Sequence, residues 1–178
     1  MRTRCLVLLV CVAMMLILVG CARQKQEVVE LKAYSLDIPE GIITQSDDLT
    51  NLQIDPQVTT DGNGSLKIIA TEAITVRLFE VGDLDIEDAR LIYQAKLRTE
   101  EVEGQVYLEM WCHFPDKGEF FSRGLQMPLT GTTDWTTVET PFSLKKGENP
   151  DNVKLNLVID GTGTAWIDDI RLLKGPLQ

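Results

Sequence analysis

In the run GQVYLEMWCHF, from Gly104 to Phe114, alternate positions place Tyr107, Glu109, Trp111 and His113 in one row. Two large aromatic rings, a carboxylate and the chain's single histidine suit the holding of a polar, ring-shaped ligand. Flat apolar surfaces cover the C–H face of such a ring, and planar polar groups meet its hydroxyls. The same residues are badly arranged for catalysis. Glu109 and His113 stand four positions apart, about 13 Å along an extended strand, which is too far for one hydrogen bond. A glycosidase would need a second carboxylate roughly 5–10 Å from Glu109, and none is evident near it on the neighbouring run. The glycine clusters at Gly62–Gly64 and Gly161–Gly163 lack the following helix of a phosphate loop and read as turns. One histidine and one cysteine beyond the N-terminal segment leave the usual zinc sets unfilled. A binding role without catalysis is the expectation.

For this row to exist the segment must be a strand, and its even positions agree. Val106, Leu108, Met110, Cys112 and Phe114 form a wholly apolar second face that belongs in a core. Pro115 to Gly118 makes a four-residue hairpin loop to EFFSRGLQM. Closing it with Phe114 opposite Glu119 pairs Cys112 with Phe121, Leu108 with Leu125 and Val106 with Met127. The polar row then gains Gln126 opposite Tyr107 and Gly124 opposite Glu109. Arg123 falls beside Met110 on the core side, and a bulge at Gly124 would return it to the polar side. Tyr107, Glu109, Trp111, His113, Arg123 and Gln126 are the expected ligand-binding set, with Gln94 and Asn156 as further polar contributors. The competing reading is a row covered by a loop, with Tyr107 and Trp111 as satellite core.

The rest of the chain supplies the framework. Short alternating runs recur from Gly41 onward: one near Gly41 to Ile54, SLKIIA, ITVRLFEV, ARLIYQAKLR, the two already named, WTTVETPF, VKLNLVID and TAWIDDIRLL. In ARLIYQAKLR, Leu91, Tyr93, Ala95 and Leu97 share the core face. No capped helical period longer than a few turns appears, so crossover helices and a parallel sheet are excluded. About eight short strands joined by turns predict an all-β, antiparallel sandwich over residues 41–178. With 178 residues and 44% hydrophobic content, one domain with a real core is expected. From Cys21 onward 15 basic residues face 27 acidic ones, a formal charge of −12. Such a surface repels nucleic acid and favours neutral or cationic partners.

Residues 1–20 begin with Arg2 and Arg4, continue through an apolar stretch of about fifteen residues, and end Leu18, Val19, Gly20 before Cys21. The stretch is short of the roughly twenty residues of a membrane span. It resembles the lipobox signal peptide of bacterial lipoproteins. The resemblance implies cleavage before Cys21 and acylation of that cysteine, which anchors the chain in the lipid bilayer. Ala22 follows where an aspartate would retain the protein in the inner membrane, so an outer-membrane position in the cell envelope is preferred. Residues 21–40 read as the lipidated cysteine and a polar linker, within which Glu27 to Lys32 forms either a short strand or a helical turn. Cys5 and Cys11 leave with the signal, Cys112 remains as a small core residue, and no disulfide is expected.

DGNGSLKI, the strand opened by Trp135 and the closing GTAWIDDIRLL together resemble jelly-roll carbohydrate-binding modules of the galactose-binding-like group, over roughly Gly41 to Lys174. The resemblance implies a two-sheet jelly roll that binds saccharide without catalysis. It also implies a structural calcium, for which Asp61, Asp168 and Asp169 are the matching carboxylates. The other reading of these aspartates is a turn at Asp61 and a bulge at the Asp pair. Two functions stand: an envelope-anchored glycan-binding module, and an envelope assembly or protein-interaction scaffold with no sugar site.

Overall fold

The structure, a computed structural model, describes residues 27–34, 36 and 51–177. Among the described residues eight strands run in chain order: β1 Val29–Tyr34, β2 Leu52–Asp55, β3 Ser65–Ala70, β4 Ile74–Gly82, β5 Ala89–Phe114, β6 Gly118–Arg123, β7 Leu129–Leu144 and β8 Asn152–Gly175. Every pairing is antiparallel. There is no α-helix among the described residues. The fold is the expected antiparallel β-sandwich.

Two long strands organise it. β5 and β8 pair from Arg90↔Gly175 to His113↔Asn152 and pass through both layers. In the first layer their outer neighbours are β7 on the β5 side and β1 and β3 on the β8 side, with β2 beyond β3. In the second layer they are flanked by β6 and β4. The sequence places separate strands either side of Glu100–Gly104 and of Gly161–Thr164, whereas the chain stays hydrogen-bonded through both. A register shift between Glu100 and Glu103 bends β5 there, and Glu101 takes a positive φ of 52°. Gly104 and Gly161 pair across the bend, and a Cβ on either would collide with the opposing backbone carbonyl. These glycines permit two backbones to touch at a corner; they do not end strands.

The bend reverses which parity is interior. Leu91, Tyr93, Ala95 and Leu97 are fully buried before it, and Val106, Leu108, Met110 and Cys112 after it. Together with Leu66, Ile68, Val76, Leu78, Leu155, Leu157, Ile159, Ile167 and Leu172 they form one core between the layers. Each such aliphatic side chain contributes about 1.5–3 kcal/mol on leaving water. Cys112 is free and buried, and burial pushes its thiol up to about 12, so it is the inert core residue expected.

Two boundaries differ from the sequence reading. The linker carries β1, which pairs with 170–174 of β8 and ties Glu30 to Arg171, so the folded unit begins before residue 41. Of the run near Gly41 to Ile54, the described part is β2; the remainder, the signal-like segment and Cys21 lie outside the described residues.

Candidate functional site

The β5–β6 hairpin closes one residue tighter than expected. Only Pro115, Asp116 and Lys117 form the loop; Lys117 N–H donates to the Phe114 carbonyl at 3.1 Å, and Gly118 follows at φ 84°. A three-residue loop followed by a left-handed glycine is a standard hairpin connection. Phe114 therefore faces Gly118, and every later partner moves by one: His113↔Glu119, Cys112↔Phe120, Trp111↔Phe121, Glu109↔Arg123. A slip of one residue exchanges the faces of a strand. It brings Arg123 beside Glu109 with no bulge at Gly124, whose N–H continues the ladder to the Leu108 carbonyl at 2.9 Å. It also replaces Ser122 by Phe121 next to Trp111. β6 ends at Arg123, so Gln126 is not opposite Tyr107; it is exposed in the loop beyond.

Across the outer face of the second layer one row reads Arg77 (β4), Asn156 (β8), Glu109 (β5), Arg123 (β6). Glu109 is its hub. Its Oε1 accepts from Trp111 Nε1–H at 2.7 Å and from Asn156 Nδ2–H at 3.0 Å, while Oε2 accepts from Arg123 Nε–H at 2.6 Å. Burial, with only 4% of Glu109 exposed, pushes its carboxyl upward. The three hydrogen bonds and the guanidinium charge outweigh that and hold it below the ordinary carboxylate value. Glu109 thus positions its neighbours and is not an open ligand group. On the β4 side, Asn156 Oδ1 and Arg77 Nε, an acceptor and a donor in register, have no partner in the protein.

The next row is aromatic. Trp111 is partly exposed and packs on Phe121 at 5.0 Å between ring centroids, tilted by 46°. Phe121 is 51% exposed, and the Arg123 guanidinium lies over it at 4.5 Å. The result is a strip of indole, phenyl ring and guanidinium standing on the Glu109 carboxylate. Tyr107, expected beside Trp111 as a stacking surface, is only 8% exposed, and burial raises its phenol. It is satellite core, the competing reading at this one position. His113 stays partly exposed, its Nδ1 2.6 Å from Asp151 Oδ1. Each arginine and lysine of the face has a carboxylate, Arg77 with Glu80, Lys154 with Glu119 and Arg123 with Glu109, and Asp151 faces His113. The strip therefore lies in charge-balanced surroundings on a strongly acidic protein.

The three aspartates matched to calcium are engaged with partners within the protein. Asp168 Oδ2 accepts from the Thr60 backbone N–H at 2.9 Å and the Thr60 hydroxyl at 2.6 Å, and Oδ1 accepts from Asp169 N–H at 2.7 Å. Asp169 is held by Arg171 at 2.8 Å and Lys96 at 3.5 Å. Asp61 caps its own turn through Thr59 and Asn63. Among the described residues no three acidic, histidine or cysteine side chains converge as a metal site. The Asp pair marks a bulge instead, with Asp169 at φ 49° where the β5–β8 register shifts.

Phe121 is the site residue that sequence reasoning missed. Gly118, read as the last residue of a four-residue loop, was the signal that could have found it: a left-handed glycine just after a three-residue loop sets the tighter register.

No protein-family model matches the chain, and no curated protein sequence resembles it significantly. Solved structures do share its fold. The CBM22-1 xylan-binding domain of Paenibacillus barcinonensis Xyn10C superposes with a TM-score of 0.61 at 11% identity, over 88% of this chain and all of that one. The CBM22-1–GH10 modules of Clostridium thermocellum xylanase Xyn10B, complexed with xylohexaose, give 0.61 at 11% identity, over 82% of this chain and 29% of that one. A family 16 carbohydrate-binding module gives 0.52 at 14% identity, over 68% and 84%. The fold is that of carbohydrate-binding modules.

Proposed function

We propose that this chain is a non-catalytic module that binds a neutral glycan on the Trp111–Phe121 strip, held at the bacterial cell envelope by a lipid on Cys21. One observation carries the binding role: an aromatic pair left open to solvent on the outer face of a sheet and fixed from below by a buried carboxylate. Apolar rings in that position offer a stacking surface for the C–H face of a sugar, and the outward N–H groups of Arg123 offer donors to its hydroxyls. Paired charges around the strip, on a chain of net charge −12 beyond residue 20, favour an uncharged polysaccharide over a uronate or sulfate. The solved relatives in fold include a xylan-binding domain, so neutral plant or envelope polysaccharides are the first class to test. The lipid anchor rests on the order of residues before Cys21, and the outer-membrane preference on Ala22.

A glycan array with the purified chain tests the binding role. Retention by neutral glycans that is abolished in Trp111→Ala and in Phe121→Ala, with melting transitions intact, supports it; retention unchanged in both variants refutes it. The anchor is tested separately by labelled palmitate and membrane fractionation, with label and membrane association lost in Cys21→Ser. A second reading is favoured by one feature. Phe120, Phe121, Leu125 and Met127 are all large, apolar and exposed within ten residues, an arrangement that also suits a protein partner in the envelope. Capture of an envelope protein that depends on Phe120 and Met127, with no glycan retained, would select it.

A further inference from the structure

Beyond the strip, β6 and β7 are edge strands of opposite layers, each laddered through its backbone to β5 and bridged to one another at one end by the Ser122 hydroxyl, which meets Thr140 Oγ1 at 2.8 Å and the Pro141 carbonyl at 2.6 Å. Between them runs a groove of about 610 Å³, walled on one side by Ser122, Arg123, Gln126 and Met127 and on the other by Thr137 and Glu139. That volume lies within the range of small-molecule clefts. Gly124 sits in its wall against the Glu139 carbonyl, so the groove is not plugged by a side chain at that point. Its chemistry is mixed. Gln126 and Thr137 make no side-chain hydrogen bond to the protein, Arg123 spends only Nε–H on Glu109, and Glu139 accepts a single bond from Gln94. Met127, 72% exposed, adds an apolar surface. Donors, acceptors and a hydrophobic side chain along an open channel fit a chain of hydroxylated rings better than one compact ligand.

Arg123 belongs to both places: it lies over Phe121 on the strip and lines the groove. We propose that the β6–β7 groove is a second subsite, so that the chain recognises an extended neutral oligosaccharide whose first ring stacks on Trp111 and Phe121 and whose further rings pass Arg123 into the groove. This rests on the glycan-binding reading of the strip, and it adds a length requirement which that reading alone lacks.

Titration calorimetry of the purified chain with linear xylo-, cello- and laminari-oligosaccharides of two to six units tests it. The expected result in the series that binds is a dissociation constant about tenfold lower for the six-unit than for the three-unit member, equivalent to one added contact of about 1.4 kcal/mol. Gln126→Ala and Met127→Ala, both at exposed positions, should flatten that dependence while leaving three-unit binding as it was. Affinity independent of length, or a length dependence that survives both substitutions, overturns the groove and leaves the strip standing. No binding in any series by a chain that melts normally overturns both.

Discussion

Replacing Glu109 by alanine is the sharpest test of how the site is built. The carboxylate serves three donors, and they do not lose equally. Asn156 is 4% exposed, so its amide, left without an acceptor, costs about 1–3 kcal/mol. Trp111 Nε1–H is partly exposed and regains water. The Arg123 side chain is 39% exposed, so its share is discounted to about 0–1 kcal/mol by solvent screening. The expected loss is about 1–4 kcal/mol, or roughly 2–16 °C in melting temperature for a domain of this size. Glu109→Gln should lose less, since its amide oxygen still accepts from Trp111 and Asn156 while its NH₂ faces Arg123 Nε–H. Urea and thermal melts followed by tryptophan fluorescence measure both. The acid limb gives an independent check. Folding holds the Glu109 carboxyl below its ordinary 4.5, so the stability it adds is complete above that value and is lost as pH falls through the lower folded value. The gap between wild type and Glu109→Gln should therefore narrow as pH falls below 4.5. A Glu109→Ala loss under about 1 kcal/mol, or a gap that stays constant with pH, refutes the hub.

Gly161→Ala should destabilise by more than about 3 kcal/mol or abolish soluble expression, because its φ of 145° and the facing Glu103 carbonyl leave no place for a methyl group; a melting point near wild type would show that the corner yields. Asp168→Ala should cost about 2–4 kcal/mol through its three lost hydrogen bonds, whereas a chelator should leave the wild-type melt unmoved. A chelator-induced drop would place a calcium ion in this fold.

Much of the fold was legible because period-two alternation is enforced by the pleat itself: Val106 to Phe114 had to be buried together whatever their partners. The register across the hairpin was less legible. Pairing Cys112 with Phe121 or with Phe120 satisfies the apolar pattern equally, and only the left-handed geometry of Gly118 decides between them. That single position moved Arg123 and Phe121 into the site and left Gln126 in a loop. Tyr107 failed as a platform for another reason, since alternation tells which side of a sheet a residue is on and not what covers that side. Gly104, Gly161 and Gly163 were misread because a glycine that ends a strand and one that lets two strands touch look alike in sequence. β1 was legible only as one of two readings, a short strand or a helical turn, because its side chains are largely exposed and its partners lie more than 130 residues away at β8.

The placement of β8 has a consequence for synthesis on the ribosome. It pairs with β1, β3, β4 and β5, yet it is made last of the eight. Until residues 152–175 emerge, those earlier segments lack the neighbour that completes their backbone bonding, and Arg90 must wait for Gly175, 85 positions downstream. Contacts so distant along the chain slow folding. A nascent chain halted before Asn152 should stay unfolded and protease-sensitive, and the native state should form only once β8 has emerged.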